Sequence, residues 1–160
     1  MNTVFYPENP VDGELKSLFL AGPTERGNAG SKITAWRKSA ISYLQVSGFA
    51  GNVFVPEFRP GANMRGMCPG SADQRDWEGD FLEAADCIVF WVPRNLGNMP
   101  GFTTNIEWGM WCDSGKAVLG YPPYAPKMSH MRHYADQLGV PVAHTLGETL
   151  DCAMLVISGL

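Results

Sequence analysis

The stretch Cys87-Ile-Val-Phe-Trp-Val92, then residues 93–102 (Pro-Arg-Asn-Leu-Gly-Asn-Met-Pro-Gly-Phe), then Thr103-Thr-Asn-Ile-Glu-Trp-Gly109, decides how this chain folds. The first six residues are apolar without alternation, as a strand covered on both faces should be. The Gly/Pro/Asn-rich segment ends it. A helix then opens at Thr103 or Thr104, runs to about Ser114 and is closed by Gly115; Ala117-Val-Leu119 is the next short strand. Strand, loop, helix, strand is a right-handed βαβ unit, and such units build parallel sheets.

The same alternation extends outward. Upstream, residues 15–21 end in the apolar run Leu18-Phe-Leu-Ala21 and stop at Gly22-Pro23. Residues 31–47 read as a helix, because Trp36, Ala40, Tyr43 and Leu44 share one face, and Gly48 is a natural stop. Val53-Phe54-Val55 reads as a strand ended by Pro56, and residues 57–72 as a long Gly/Pro-rich loop. Residues 73–85 form a helix with Trp77, Phe81, Ala84 and Ala85 on one face, against the poor helix propensity of Gly79. Downstream come a Pro-rich loop, a helix around 127–138, a strand at 140–143 and a helix at 145–157. Residues 1–14, polar with two prolines, read as an N-terminal arm, which leaves 15–160 as one domain. The pattern predicts a single doubly wound α/β domain with a parallel sheet of about five strands. Ligands of such sheets sit beyond the carboxyl ends of the strands, where the strand order reverses. Chemistry is therefore expected in the loops after Ala21, Val55 and Val92.

Composition narrows the function. The 160 residues carry 12 Lys+Arg against 16 Asp+Glu, a net charge of −4. A mildly acidic chain with no basic run is poorly suited to a nucleic-acid polymer, although a basic pocket can hold one phosphate. The longest apolar run is too short to span a membrane. The first residues show neither a basic n-region nor an apolar h-region. Cys68, Cys87, Cys112 and Cys152 form no Cys-x-x-Cys pair, so reduced cysteines and a cytoplasmic location are expected. The histidines are not spaced to complete a metal site with them, and His130-x-x-His133 reads as an exposed pair.

The three loops hold the candidate residues. Gly22-Pro23 is either an ordinary turn or a close backbone approach to a ligand. Glu107 has two competing accounts. Thr104-x-x-Glu107 matches a capping box, in which the Glu serves its own helix end. Alternatively, it is a carboxylate at the positive end of a helix, beside Arg94, Asn105 and aromatic walls, able to attack a bound molecule. Glu78 stands among Asp73, Asp76, Asp80 and Glu83, either as part of a solvated acidic face or as a second working carboxylate. Trp77 reads as core; Trp91 and Trp108 can pack beneath the site or line it.

These residues resemble a family. Leu18-Phe-Leu-Ala-Gly-Pro23, then Trp77-Glu78-x-x-x-Leu82-x-x-Ala85-Asp86 before an apolar strand, then Thr104-Asn-Ile-Glu107-Trp-Gly109 with Gly115-Lys116-Ala-Val-Leu, are similar to nucleoside 2-deoxyribosyltransferases over about residues 15–120. The stretch from Phe90 to Glu107 looks most like a divergent branch of them. The resemblance implies a flavodoxin-like fold and cleavage of the N-glycosidic bond of 2′-deoxynucleosides. It implies transfer of the deoxyribosyl group to another base through a covalent glutamate intermediate. Glu107 matches the nucleophile's position and Glu78 that of an acidic residue near the sugar or base. Gly22 and Pro23 match the sugar-pocket loop, and Gly101 stands where some members place a polar residue. Arg94, Phe102, Thr103 and Asn105 complete the expected substrate contacts. Neither metal nor cofactor is called for, and a homo-oligomer acting on a small nucleoside or nucleotide is implied. Two other readings stay open: hydrolysis of (deoxy)nucleoside 5′-monophosphates, with Arg94 or Arg26 holding the phosphate, and a non-catalytic nucleotide or ADP-ribose binder. A cytokinin-type phosphoribohydrolase fits less well, since Pro100-Gly-Phe-Thr-Thr104 lacks two of its glycines.

Overall fold

The computed structural model describes residues 1–27, 32–63, 65–66 and 68–160. In chain order the elements are β1 (Asn2–Tyr6), β2 (Ser17–Ala21), α1 (Ala35–Val46), β3 (Asn52–Phe58), α2 (Ala72–Ala84), β4 (Cys87–Trp91), α3 (Phe102–Trp111), β5 (Ala117–Gly120), α4 (Ser129–Leu138), β6 (Val142–Ala143) and α5 (Leu146–Ser158). The strands pair in parallel in the order β1-β3-β2-β4-β5-β6. Apart from β1 this is the doubly wound, flavodoxin-like order, and its reversal lies between β2 and β4.

The sheet separates two apolar layers because strand side chains alternate between faces. Leu18, Leu20, Val53, Val55, Val89 and Val118 face α1 and α5, where Trp36, Ala40, Leu44, Leu150 and Ala153 meet them. Phe19, Phe54, Ile88, Phe90 and Leu119 face the other way, against Trp77 and Leu82 of α2, Trp108 of α3, and Met131 and Ala135 of α4. All five residues of β4 are buried, as its unbroken apolar run requires. Trp91 and Trp108 are both core residues.

The structure corrects several sequence-based boundaries. Asn2–Tyr6, read with the polar arm, is a sixth strand on the edge beside β3. Its alternation is short and Pro7 follows at once, so pattern alone gave it little weight. β3 continues past Pro56 to Phe58. The register steps from Phe5↔Val55 to Tyr6↔Phe58, so Pro56 and Glu57 occupy an irregularity, where a residue without an N–H is tolerated. The expected start of α1 at Ser31 lies outside the described residues, as do 64 and 67 of the predicted loop; the observed helix opens at Ala35. α3 starts one to two residues early, at Phe102.

Candidate functional site

The site begins with one charged residue that helical periodicity hid. Arg37 lies on the inward face of α1 and is only 1% exposed. Its guanidinium pairs with Glu57 of β3 at 3.1 Å. It also donates to the carbonyls of Leu20 (3.2 Å) and Gly22 (2.7 Å) and to Thr24 Oγ1 (2.9 Å). Glu57 accepts in turn from the backbone N–H of Thr34, at 3.0 Å, and from its hydroxyl. One buried ion pair thus joins the end of β3, the start of α1 and the loop leaving β2.

That loop is held tightly. Trp36 Nε1 donates to the Pro23 carbonyl at 2.9 Å. Gly22 has φ 151°, and a Cβ there would lie 2.2 Å from the Trp91 carbonyl oxygen. Only glycine lets β2 leave the sheet this close to β4. Across the strand-order reversal, Arg26 N–H donates to the Asn98 carbonyl at 2.8 Å, which clasps the loops after β2 and β4 together.

Between these loops and α2 opens a cavity of about 410 Å³. All three loops singled out by the strand order contribute to it. Its walls include Gly22, Pro23, Gly101, Phe102, Thr103, Glu78 and Glu107, seven of the nine residues expected from sequence. Arg94 and Asn105 are not among them; they line a different cavity with which this one shares no residue. The reason is geometric: Asn105 and Glu107 are two positions apart on α3, and residues so spaced do not face the same way. Sequence reading missed Arg37, Gln74 and Arg75 as wall residues. The Ser71-x-x-Gln74 helix start was the available signal for Gln74.

Glu107 is partly buried, in the second turn of α3, and its carboxylate makes no hydrogen bond among the described residues. The capping-box reading therefore fails. The N-cap is Gly101, in a left-handed conformation (φ 70°), with no side-chain cap bond, and Thr104 lies inside the helix. Burial, and next the charge of Glu78, push the Glu107 carboxyl up to about 7, against the pull of Arg37. The helix dipole, expected to favour its ionised form, loses strength beyond the first turn. Glu78 is held by Gln74, whose Nε2 donates to Glu78 Oε1 at 2.9 Å and to the Pro56 carbonyl at 3.1 Å. Burial raises Glu78 as well, while Gln74, Arg37 and Arg75 offset part of the rise. Asp73, Asp76, Asp80 and Glu83 are exposed, so the acidic face exists and Glu78 is not on it. The cavity thus holds two electrostatically coupled carboxylates near a buried guanidinium, an arrangement suited to a carboxylate nucleophile paired with an acid.

A family model described as nucleoside 2-deoxyribosyltransferase like matches residues 15–125. No curated protein matches the chain.

Two outcomes are expected from this geometry. Arg37→Met leaves Glu57 buried without its cation and should cost about 3–5 kcal/mol of unfolding free energy; adding Glu57→Leu should restore part of the loss in a denaturation double-mutant cycle. The raised carboxyl of Glu107 means that the folded state binds its proton more tightly than the unfolded chain. The resulting penalty is absent below about pH 4.5, grows above it and is complete above about 7. Glu107→Gln should therefore raise the melting temperature at pH 8 and leave it nearly unchanged at pH 4.5.

Proposed function

The chain belongs to the nucleoside 2-deoxyribosyltransferase-like family, and on that premise we propose that it cleaves the N-glycosidic bond of 2′-deoxynucleosides and passes the sugar to a second base. The observation that carries this reading is that the partly buried Glu107, which caps no helix end, lines one cavity with Glu78 at the strand-order reversal. In the proposed mechanism Glu107 attacks the anomeric carbon as the C–N bond breaks through an oxocarbenium-like state. The electron pair leaves with the base, and Glu78 gives that base a proton. A nitrogen of a second base then attacks the sugar carbon, returns a proton to Glu78 and frees Glu107. Gly22, Pro23 and Gly101 bring backbone close to the sugar; Phe102 and Thr103 flank it. Water in place of the second base would make the reaction a hydrolysis.

The two carboxylates titrate as a unit. Burial raises both in the free protein, and the reaction needs Glu107 ionised and Glu78 protonated, so the reactive form carries one proton. Loss of that proton sets the basic limb of kcat/KM, expected near pH 7 and falling about tenfold per unit above it. Incubation with a deoxynucleoside should leave a deoxyribosyl mass on Glu107, and exchanged base should appear when a second base is added. Glu107→Ala should fold normally and lose activity about a thousandfold or more. An active Glu107→Ala protein would overturn the nucleophilic role of this carboxylate, and binding without products would favour the non-catalytic reading.

One observation favours phosphorylated substrates as a second reading. Arg26 and Arg75 line the same cavity, and neither pairs with a carboxylate among the described residues; their side chains bond only the Gly97 and Gly70 carbonyls. A 5′-phosphate would complement them. If so, the 5′-monophosphate should have the higher kcat/KM, and Arg75→Ala should lower that value alone.

A homo-oligomer is also proposed. Phe102, Ile106 and Met110 form a stripe at four-residue spacing along α3, 69%, 65% and 70% exposed. Apolar side chains so aligned on the helix that carries Glu107 suit a subunit contact. Ile106→Glu should lower the sedimentation mass; an unchanged mass would remove α3 from any interface.

A further inference from the structure

The second cavity, of about 580 Å³, lies along α3 and α4. α3 and its C-cap Cys112 supply Asn105, Trp108, Gly109 and Cys112 to it, and α3 supplies Thr103, Thr104 and Glu107 to the first. Its size is that of a small-molecule site. The remaining walls come from Arg94, Lys127, His130, Met131 and Tyr134, with no carboxylate among them.

Arg94 is the unusual member. It is only 6% exposed, yet no carboxylate lies within ion-pair distance of it among the described residues. Its guanidinium donates to Asn105 Oδ1, to the Lys127 carbonyl at 3.2 Å and to Met131 Sδ at 3.6 Å. Arg94 Nε and Trp108 Nε1 are buried with no hydrogen-bond partner. Orphaned donors of this kind are rare and costly, the more so on a charged group. Burial lowers the basicity of Arg94, and no neighbouring acid restores it. Lys127, exposed at the rim, adopts φ 59°, a conformation unusual for lysine, while its carbonyl serves Arg94. A buried cation without counter-ion, a second cation beside it and indole and phenol walls together specify one kind of occupant.

We propose that this cavity is a second binding site, for a small organic oxyanion: a phosphate or carboxylate on a flat or apolar body. The anionic group pairs with Arg94 and Lys127, and the body lies against Trp108, Met131 and Tyr134. The site does not depend on the catalytic part played by Glu107.

Calorimetric titration with phenyl phosphate and with inorganic phosphate tests this. Both probes can also meet the cations of the first cavity, so an Arg26→Ala/Arg75→Ala protein is titrated alongside. One saturable site should persist in that protein, with phenyl phosphate about tenfold or more tighter than phosphate, because only its ring buries apolar surface. Lys127→Ala should weaken binding roughly two- to fivefold, and Arg94→Lys roughly tenfold or more, through loss of the guanidinium fork. Should Arg94→Lys fail to fold, the Lys127→Ala comparison decides alone. No saturable binding, binding lost with Arg26 and Arg75, or binding indifferent to Lys127→Ala overturns the proposal. Equal affinity for the two probes overturns the organic body. Binding that fades as protein concentration rises overturns it in favour of a carboxylate from a second copy.

Discussion

The Arg37–Glu57 pair is the constraint on which the candidate site depends. Two buried charges contribute little net stability, because desolvation consumes most of their attraction. What the pair supplies is position. Arg37 satisfies the Leu20 and Gly22 carbonyls just where β2 ends, and Glu57 receives the first backbone N–H of the α1 turn at Thr34. The loop from Gly22 to Thr24 is thereby fixed against the sheet, and Pro23 reaches the Trp36 indole. A cavity wall made of backbone stays open only if its polar groups are satisfied from behind, and Arg37 does that.

The same guanidinium sets the electrostatics in front. It acts on Glu107 and Glu78 as well as on Glu57, and the two cavity carboxylates repel one another. Burial dominates that balance for Arg37, Glu78 and Glu107 alike. The cavity therefore holds Glu107 near its point of proton exchange at neutral pH and Glu78 above its ordinary range, as the proposed nucleophile and proton donor require of a coupled pair.

Much of this was legible in the chain. The unbroken apolar run of β4 and the spacing of Trp36, Ala40 and Leu44 gave the fold class and sheet direction, and the three strand-end loops pointed to the cavity. Other features were not legible, for identifiable reasons. Thr-x-x-Glu occurs at both Thr104 and Thr145. At α5 the threonine does cap its helix: Thr145 Oγ1 accepts from Glu148 N–H at 3.2 Å and donates to the Glu148 carboxylate at 2.8 Å. At α3 it caps nothing, because Gly101 in its left-handed conformation is the N-cap, the helix opens at Phe102 and Thr104 falls inside it. Four letters cannot distinguish these cases; the backbone before them does. Arg37 was invisible because an apolar-face rule skips charges, and its partner Glu57 lies beyond a proline that reads as a strand end. Arg94 and Asn105 line the other cavity because Asn105, two positions from Glu107, faces another way from α3, and Arg94 in the loop after β4 bonds to it.

The family match stops at Ala125, and the structure shows what lies outside it. Before its start, β1 pairs along the outer side of β3. Past its end, α5 packs fully buried Leu150 and Ala153 on the same layer as Trp36 and Leu44, while Thr149 nestles against Gly120, where a Cβ would come within 2.0 Å of its hydroxyl. The matched span is thus a signature of kinship and not a physical unit. Cut at those limits, the polypeptide would bare one strand margin and half of an apolar layer, and it would be prone to clump before it could be assayed.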